Sequence, residues 1–185
     1  MIVKRLMLML VVVALLAACG GGGTPAASGG DSGAPAGNTG GGGAAAGGES
    51  FSFEVGGAET VTLATPDFNA NYSTDDLDEE TTIHQLWFGG DGARAISIMF
   101  YGDEPPAAGT FTLTDEFTTD PGTVSLLYVN NSEGVTAYTQ TGGTVTLTQS
   151  GDSYSGSVDA TLSGGAAGAS EPQTLTLKGT FNEIQ

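Results

Sequence analysis

From residue 51 onward, apolar and polar positions alternate in short runs separated by turn residues. Phe51, Phe53 and Val55 occupy every second position before Gly56-Gly57, and Val61 and Leu63 resume the pattern after it. A period of two places such residues on one face of a pleated strand. Ile83 to Phe88 reads as a further strand. Ile96, Ile98 and Phe100 follow the turn sequence Gly89-Gly90-Asp91-Gly92, Phe111 and Leu113 follow Pro105-Pro106, and Val124 to Val129 is a nearly continuous apolar run. The C-terminal part is the most regular. Val145 and Leu147 alternate with Thr144, Thr146 and Thr148, Ser150-Gly151-Asp152-Ser153 turns the chain, and Tyr154, Gly156, Val158, Ala160 and Leu162 return on one face. After a Gly/Ala/Ser loop around Gly164 to Ser170, Leu175, Leu177, Gly179 and Phe181 form the closing strand. No stretch keeps a helical period over a useful length, and threonine, stiff at χ1, suits a pleated surface. The pattern predicts an all-β domain over 49–185, a single antiparallel β-sandwich or flattened β-barrel of about 8–10 strands. Short consecutive connections are compatible with either form.

Ahead of this domain the composition is different. Residues 20–48 are Gly, Ala, Ser and Pro with little else, and Asp31 is their single charge. With no large apolar side chain to bury, such a segment cannot offset a backbone entropy of about 1–2 kcal/mol per ordered residue. It is expected to be a disordered tether with a root-mean-square span of roughly 30 Å. The glycine runs Gly20 to Gly23 and Gly40 to Gly43 lack the preceding strand and the following Lys-Ser/Thr of a phosphate-binding loop.

The first residues carry an address. Lys4 and Arg5 precede an uncharged apolar run from Leu6 to Leu16, followed by Ala17, Ala18 and Cys19, the sole cysteine. The run is too short for the roughly 20 apolar residues that a membrane-spanning helix requires, and it fits a secretory h-region. The sequence Leu16-Ala17-Ala18-Cys19 resembles the lipobox of a bacterial lipoprotein leader; an ordinary Ala-x-Ala signal with Cys19 as a bystander is the competing reading. The resemblance implies cleavage of 1–18 and acylation of Cys19. Two or three acyl chains hold a protein on a membrane effectively permanently. Gly20 after the cysteine, by resemblance to known sorting rules, implies the outer membrane where the cell has one. With Cys19 consumed, no disulfide can form within the chain. The stretches Pro106 to Leu113, Gly142 to Leu162 and Gly179 to Asn182 also resemble secreted bacterial lipoproteins with small β domains of no assigned activity. That resemblance implies a fold class and a location, and no catalytic residue.

Charge narrows the partners. Removal of the leader leaves Arg94 and Lys178 against 21 acidic residues, a formal charge of −19. Such a field repels nucleic acid and favours cations and basic partners. Asp75, Asp76, Asp78, Glu79 and Glu80 are read as one acidic loop, flanked by Asp67 and Asn71. Its oxygens suit calcium, but the EF-hand order of ligands and its turn glycine are missing, and a solvated charge run competes with a metal site. Asp103-Glu104 and Asp115-Glu116 with Asp120 are further acidic loops.

Candidate catalytic chemistry is sparse. His84 is the sole histidine and lies in a strand-like run beside Trp87, where packing is its commoner role. Gly151-Asp152-Ser153 is a hairpin tip with no histidine after it, and the Gly-x-Ser-x-Gly elbow is absent. One histidine and no free thiol argue against zinc. Trp87, Phe88, Phe100, Tyr101, Tyr128 and Tyr138 are either core or the lining of a ligand face, and Trp87 is the ligand-binding candidate because it joins a large apolar surface to an N–H donor. The expectation is a lipid-anchored extracytoplasmic module without catalytic activity, doing binding or structural work at the cell envelope. Its expected partners are the membrane, through Cys19, and an envelope or surface protein or glycan. The alternative is a β-barrel carrier of a small hydrophobic ligand; an enzyme built on paired carboxylates ranks third.

Overall fold

The computed structural model describes residues 48–77, 81–90, 92–132, 134–166 and 169–185. The leader, Cys19, almost the whole tether, and Asp78, Glu79 and Glu80 lie outside them. The described chain is all-β. Ten strands follow one another: β1 (Ser50–Gly57), β2 (Val61–Ala64), β3 (Asn69–Asp76), β4 (Thr82–Gly89), β5 (Arg94–Tyr101), β6 (Gly109–Leu113), β7 (Val124–Asn130), β8 (Thr136–Ser150), β9 (Ser153–Ala166) and β10 (Gln173–Ile184). They form one antiparallel sheet in the order β2-β1-β10-β9-β8-β7-β5-β4-β3, and β6 pairs with β8 beside that path. The architecture is a single sheet curled on itself, a flattened half-barrel.

The curl follows from which face is apolar. In β1, Phe51, Phe53 and Val55 are buried and the residues between them exposed. In β4, Leu86 and Phe88 are buried, and in β10 Leu175, Leu177 and Phe181. Burying these rows requires the sheet to bend round until its own inner face meets itself. Phe51 and Phe53, six strand pairings away from β4, pack against Phe88 with ring centroids 5.1 and 4.9 Å apart, and Phe181 joins them 5.5 Å from Phe88. Where the curl brings β3 round to the end of β10, the Tyr72 N–H donates to the Gln185 carbonyl at 2.9 Å. Elsewhere Glu59, in the turn between β1 and β2, accepts from Arg94 Nε at 3.0 Å and from Asn130 Nδ2 at 2.9 Å, clamping that turn to β5 and β7.

Two glycines make room for the rings. Gly179 lies opposite Phe53, and a Cβ there would collide with the Ser52 carbonyl and sit 2.5 Å from the Phe53 ring. Gly156 lies opposite Phe181, whose ring tip would be 2.8 Å from an added Cβ. Strand glycines with this role let an aromatic ring cover bare backbone and permit strong local coiling.

The expected strand stripes hold along β1, β2, β5, β7, β8, β9 and β10. The polar run from Asn69 differs: read as part of an acidic loop, it is strand β3, paired along its whole length with β4 from Asn69↔Gly89 to Asp76↔Thr82. An edge strand can form with little apolar content because only Ala70 and Tyr72 pack against the core, and exposed charge on an edge discourages further pairing. Phe88, Phe100, Tyr128 and Tyr138, candidates for a ligand face, are buried in the core cluster.

Candidate binding cleft

The sheet forks at one place. Along its first four residues β8 pairs with β7, from Thr136↔Asn130 to Thr139↔Leu127. An extra residue, Thr141, then breaks its register with β9 between Gln140 and Gly142. A bulge of this kind bends a strand and increases its twist. Beyond it β8 leaves β7 and pairs instead with β6, from Gly143↔Leu113 to Leu147↔Gly109. The first half of β7 thereby loses its partner on that side while keeping β5 on the other. Gln140, 4% exposed, fills the gap: its Oε1 accepts the Leu126 N–H at 3.0 Å. Among the described residues no strand pairs with the other edge of β6.

An open cleft of about 580 Å³ lies beside this fork, between the end of β5, the start of β6 and residues 121–123. Its apolar floor is Phe100 and Phe111, edge to face with centroids 5.0 Å apart. Phe100 is buried and Phe111 half-buried, so the floor is continuous with the core. The connection 102–108 forms one wall, with Pro106 buried and Asp103 and Glu104 exposed at the rim. Among the described residues neither carboxylate makes an ion pair; the basic side chains Arg94 and Lys178 are held by Glu59 and Asp159.

The walls are fixed by hydrogen bonds that the local sequence supplies. Gly122 N–H donates to the Tyr101 carbonyl at 2.7 Å and Tyr101 N–H to the Thr123 carbonyl at 3.1 Å. Thr123 Oγ1 donates to the Asp120 carbonyl at 2.6 Å, and Thr118 Oγ1 to Asp120 Oδ2 at 2.7 Å, closing the turn before β7. Gly102, at φ 146°, takes a conformation that side chains rarely adopt, and there the wall leaves β5. His84 holds that point from behind. It is 3% exposed, its Nε2 lies 3.0 Å from the Gly102 carbonyl, and its Nδ1 lies 2.7 Å from the Tyr72 hydroxyl. A carbonyl can only accept, so Nε2 carries a proton, and in the neutral ring Nδ1 then accepts from the Tyr72 hydroxyl. Burial, with the neighbouring Tyr154 adding to it, pushes the Tyr72 phenol well above the ordinary tyrosine range, keeping it a donor. Both ring nitrogens of His84 are thus engaged in positioning the wall.

Of the residues singled out from the sequence, Phe100, Tyr101, Asp103 and Glu104 line the cleft, and the named ligand and metal candidates lie elsewhere. Trp87 is half-buried on the outer face of β4, cross-strand from Asn71 and Ser97, and its ring folds over Gly89, where an added Cβ would lie 2.6 Å from Cζ2. It does not line the cleft. Asp75 and Asp76 are the exposed last residues of β3, with Thr82 Oγ1 donating to Asp76 at 3.4 Å. Among the described residues no three His, Cys, Asp or Glu side chains come together as a metal group; Asp78, Glu79 and Glu80 fall outside that statement. Phe100 and Tyr101 were among the aromatics weighed as a ligand face and Asp103-Glu104 was read as an acidic loop; the other cleft residues were visible only as strand and turn residues. The one signal for the fork was Gly142-Gly143 inside a strand pattern, which marks a bulge.

Fold and site together define an all-β half-barrel with an apolar, acid-rimmed cleft. Comparison with protein-family models, with curated proteins and with solved structures finds no match to this chain.

Proposed function

We propose that this chain is a lipid-anchored extracytoplasmic binding module. Cys19 carries the acyl chains, residues 20–48 are the tether, and the β domain presents its cleft to a partner at the cell envelope, on the outer membrane where the cell has one. The observation that carries the reading is the cleft: an apolar floor continuous with the core, walls held by fixed hydrogen bonds, and exposed carboxylates at the rim that make no ion pair among the described residues. Concave apolar sites with a few placed polar groups are the usual form of binding sites. His84, with both nitrogens engaged behind the wall, supplies positioning rather than a free base. The test is metabolic labelling with a palmitate analogue and membrane fractionation in a bacterial host. Wild-type chain is expected to take up label and sediment with membranes, and Cys19→Ala to lose the label and keep its leader. Unlabelled wild-type chain would overturn the anchor.

The alternative, a carrier of a small hydrophobic ligand, is favoured by the cleft's volume, which lies within the usual range for small-molecule sites. Native mass spectrometry in millimolar calcium separates the readings. The binding module is expected to show equal native and denatured masses. An excess of several hundred daltons would favour the carrier, and a calcium increment lost to chelator would promote the acidic loops to a metal site.

A further inference from the structure

We propose that the cleft captures an extended, basic polypeptide segment by strand addition to the free edge of β6; this deepens the binding reading and rests on it. Three features converge on one occupant. The first is backbone. The bulge at Thr141 draws β8 across to β6, and no described strand takes the other side of β6. A strand edge presents a row of N–H and C=O groups that another extended backbone satisfies.

The second feature is the apolar floor. Side chains of an added strand alternate between faces, so every second one would point inward, where the floor of the cleft is formed by Phe100 and Phe111. The third is charge. Asp103 and Glu104 stand at the rim without a counter-ion among the described residues, and Asp115, Glu116 and Asp120 follow in the next connection. A net charge of −19 on the processed chain attracts cationic segments from a distance. An apolar ligand alone would leave the edge and the rim unused, and a polycation without an extended backbone would leave the edge and the floor unused. A segment alternating apolar and basic residues uses all three.

The test uses the full chain in phosphatidylcholine nanodiscs, with empty nanodiscs as blank. The probe is a fluorescein-labelled peptide of alternating valine and lysine, read by anisotropy. The expected result is saturable binding that weakens as salt is added. It should weaken about fivefold or more when alternate peptide amides are N-methylated, the loss of one or more hydrogen bonds. The Asp103→Asn/Glu104→Gln variant, altered at two exposed positions, should bind less tightly with a shallower salt dependence. Bound peptide should slow hydrogen exchange at alternate amides among Thr110, Phe111 and Thr112. Equal affinity for the N-methylated peptide would overturn strand addition, unchanged affinity of the rim variant would overturn the cationic partner, and absence of binding would overturn both. Each of these failures leaves the anchor, read at Cys19, intact; loss of labelling with peptide binding retained would overturn the anchor alone.

Discussion

At Gly179 the absence of one carbon decides how two strands meet. The Phe53 ring lies over bare backbone there, and the Ser52 carbonyl occupies the space a Cβ would need. Gly179→Ala is therefore expected to destabilise the domain by about 1–3 kcal/mol, the cost of overpacking a fitted core, seen as a lower midpoint in urea at unchanged slope. An equal or higher midpoint would show that β1 and β10 relax around the methyl. The alternation had already placed Gly179 on the inner face between Leu177 and Phe181, but it could not say which ring would cover it. Trp87 shows the reverse. Its chemistry made it the candidate for ligand contact, yet β4 turns it to the face opposite Leu86 and Phe88, where its partner is Gly89. Parity along the strand, already legible in Leu86 and Phe88, overrides residue type.

Among the elements, β8 carries the largest consequence. Its fifteen residues serve three neighbours, β9 along its length, β7 before the bulge and β6 after it. Gln140 makes this arrangement tolerable by accepting the buried Leu126 N–H that the departing strand leaves behind. Gln140→Leu keeps the volume and removes the acceptor. It is expected to cost about 1–3 kcal/mol, the penalty for a buried donor left unpaired, and to speed exchange at the Leu126 amide in native-state hydrogen exchange. Unchanged protection there would show that the N–H finds another partner. The ten strands were largely legible because inward apolar residues and turn glycines repeat on a short period. β3 was not, because an edge strand with little of its surface in the core need not carry the pattern. The fork was not legible either: Gly142-Gly143 hints at an irregularity, but which strand departs and which arrives depends on residues of two earlier strands, β7 and β6.

Across the whole molecule, buried phenols tie stability to pH. Burial raises Tyr72, Tyr101, Tyr128 and Tyr138 above the ordinary tyrosine value, with Tyr154 adding to the effect at Tyr72 and Glu59 at Tyr128 and Tyr138, while Ser125 opposes it at Tyr101. Above the unfolded tyrosine pKa of about 10, the unfolded chain releases protons that the folded chain retains, so stability falls as pH rises. Below that pH the contribution is fully present. Unfolding in urea is expected to need progressively less denaturant from pH 10 upward, with tyrosinate absorbance appearing together with loss of β signal in circular dichroism. Tyrosinate appearing ahead of unfolding would show that the phenols titrate in the folded state.

The sequence by itself determined the all-β class, the inward stripes and the surplus of acid, because alternation, turn chemistry and charge are local properties that each residue carries wherever the chain goes. It also supplied the lipobox-like leader and tether on which the proposed location rests. The tertiary structure decided that β3 is a strand, that Phe88, Phe100, Tyr128 and Tyr138 fill the core while Trp87 does not, and that a bulge opens the sheet beside Phe100 and Phe111. Those outcomes depend on which strands become neighbours. That is settled by how one sheet must curl to bury its own apolar face, and no run of residues encodes it alone.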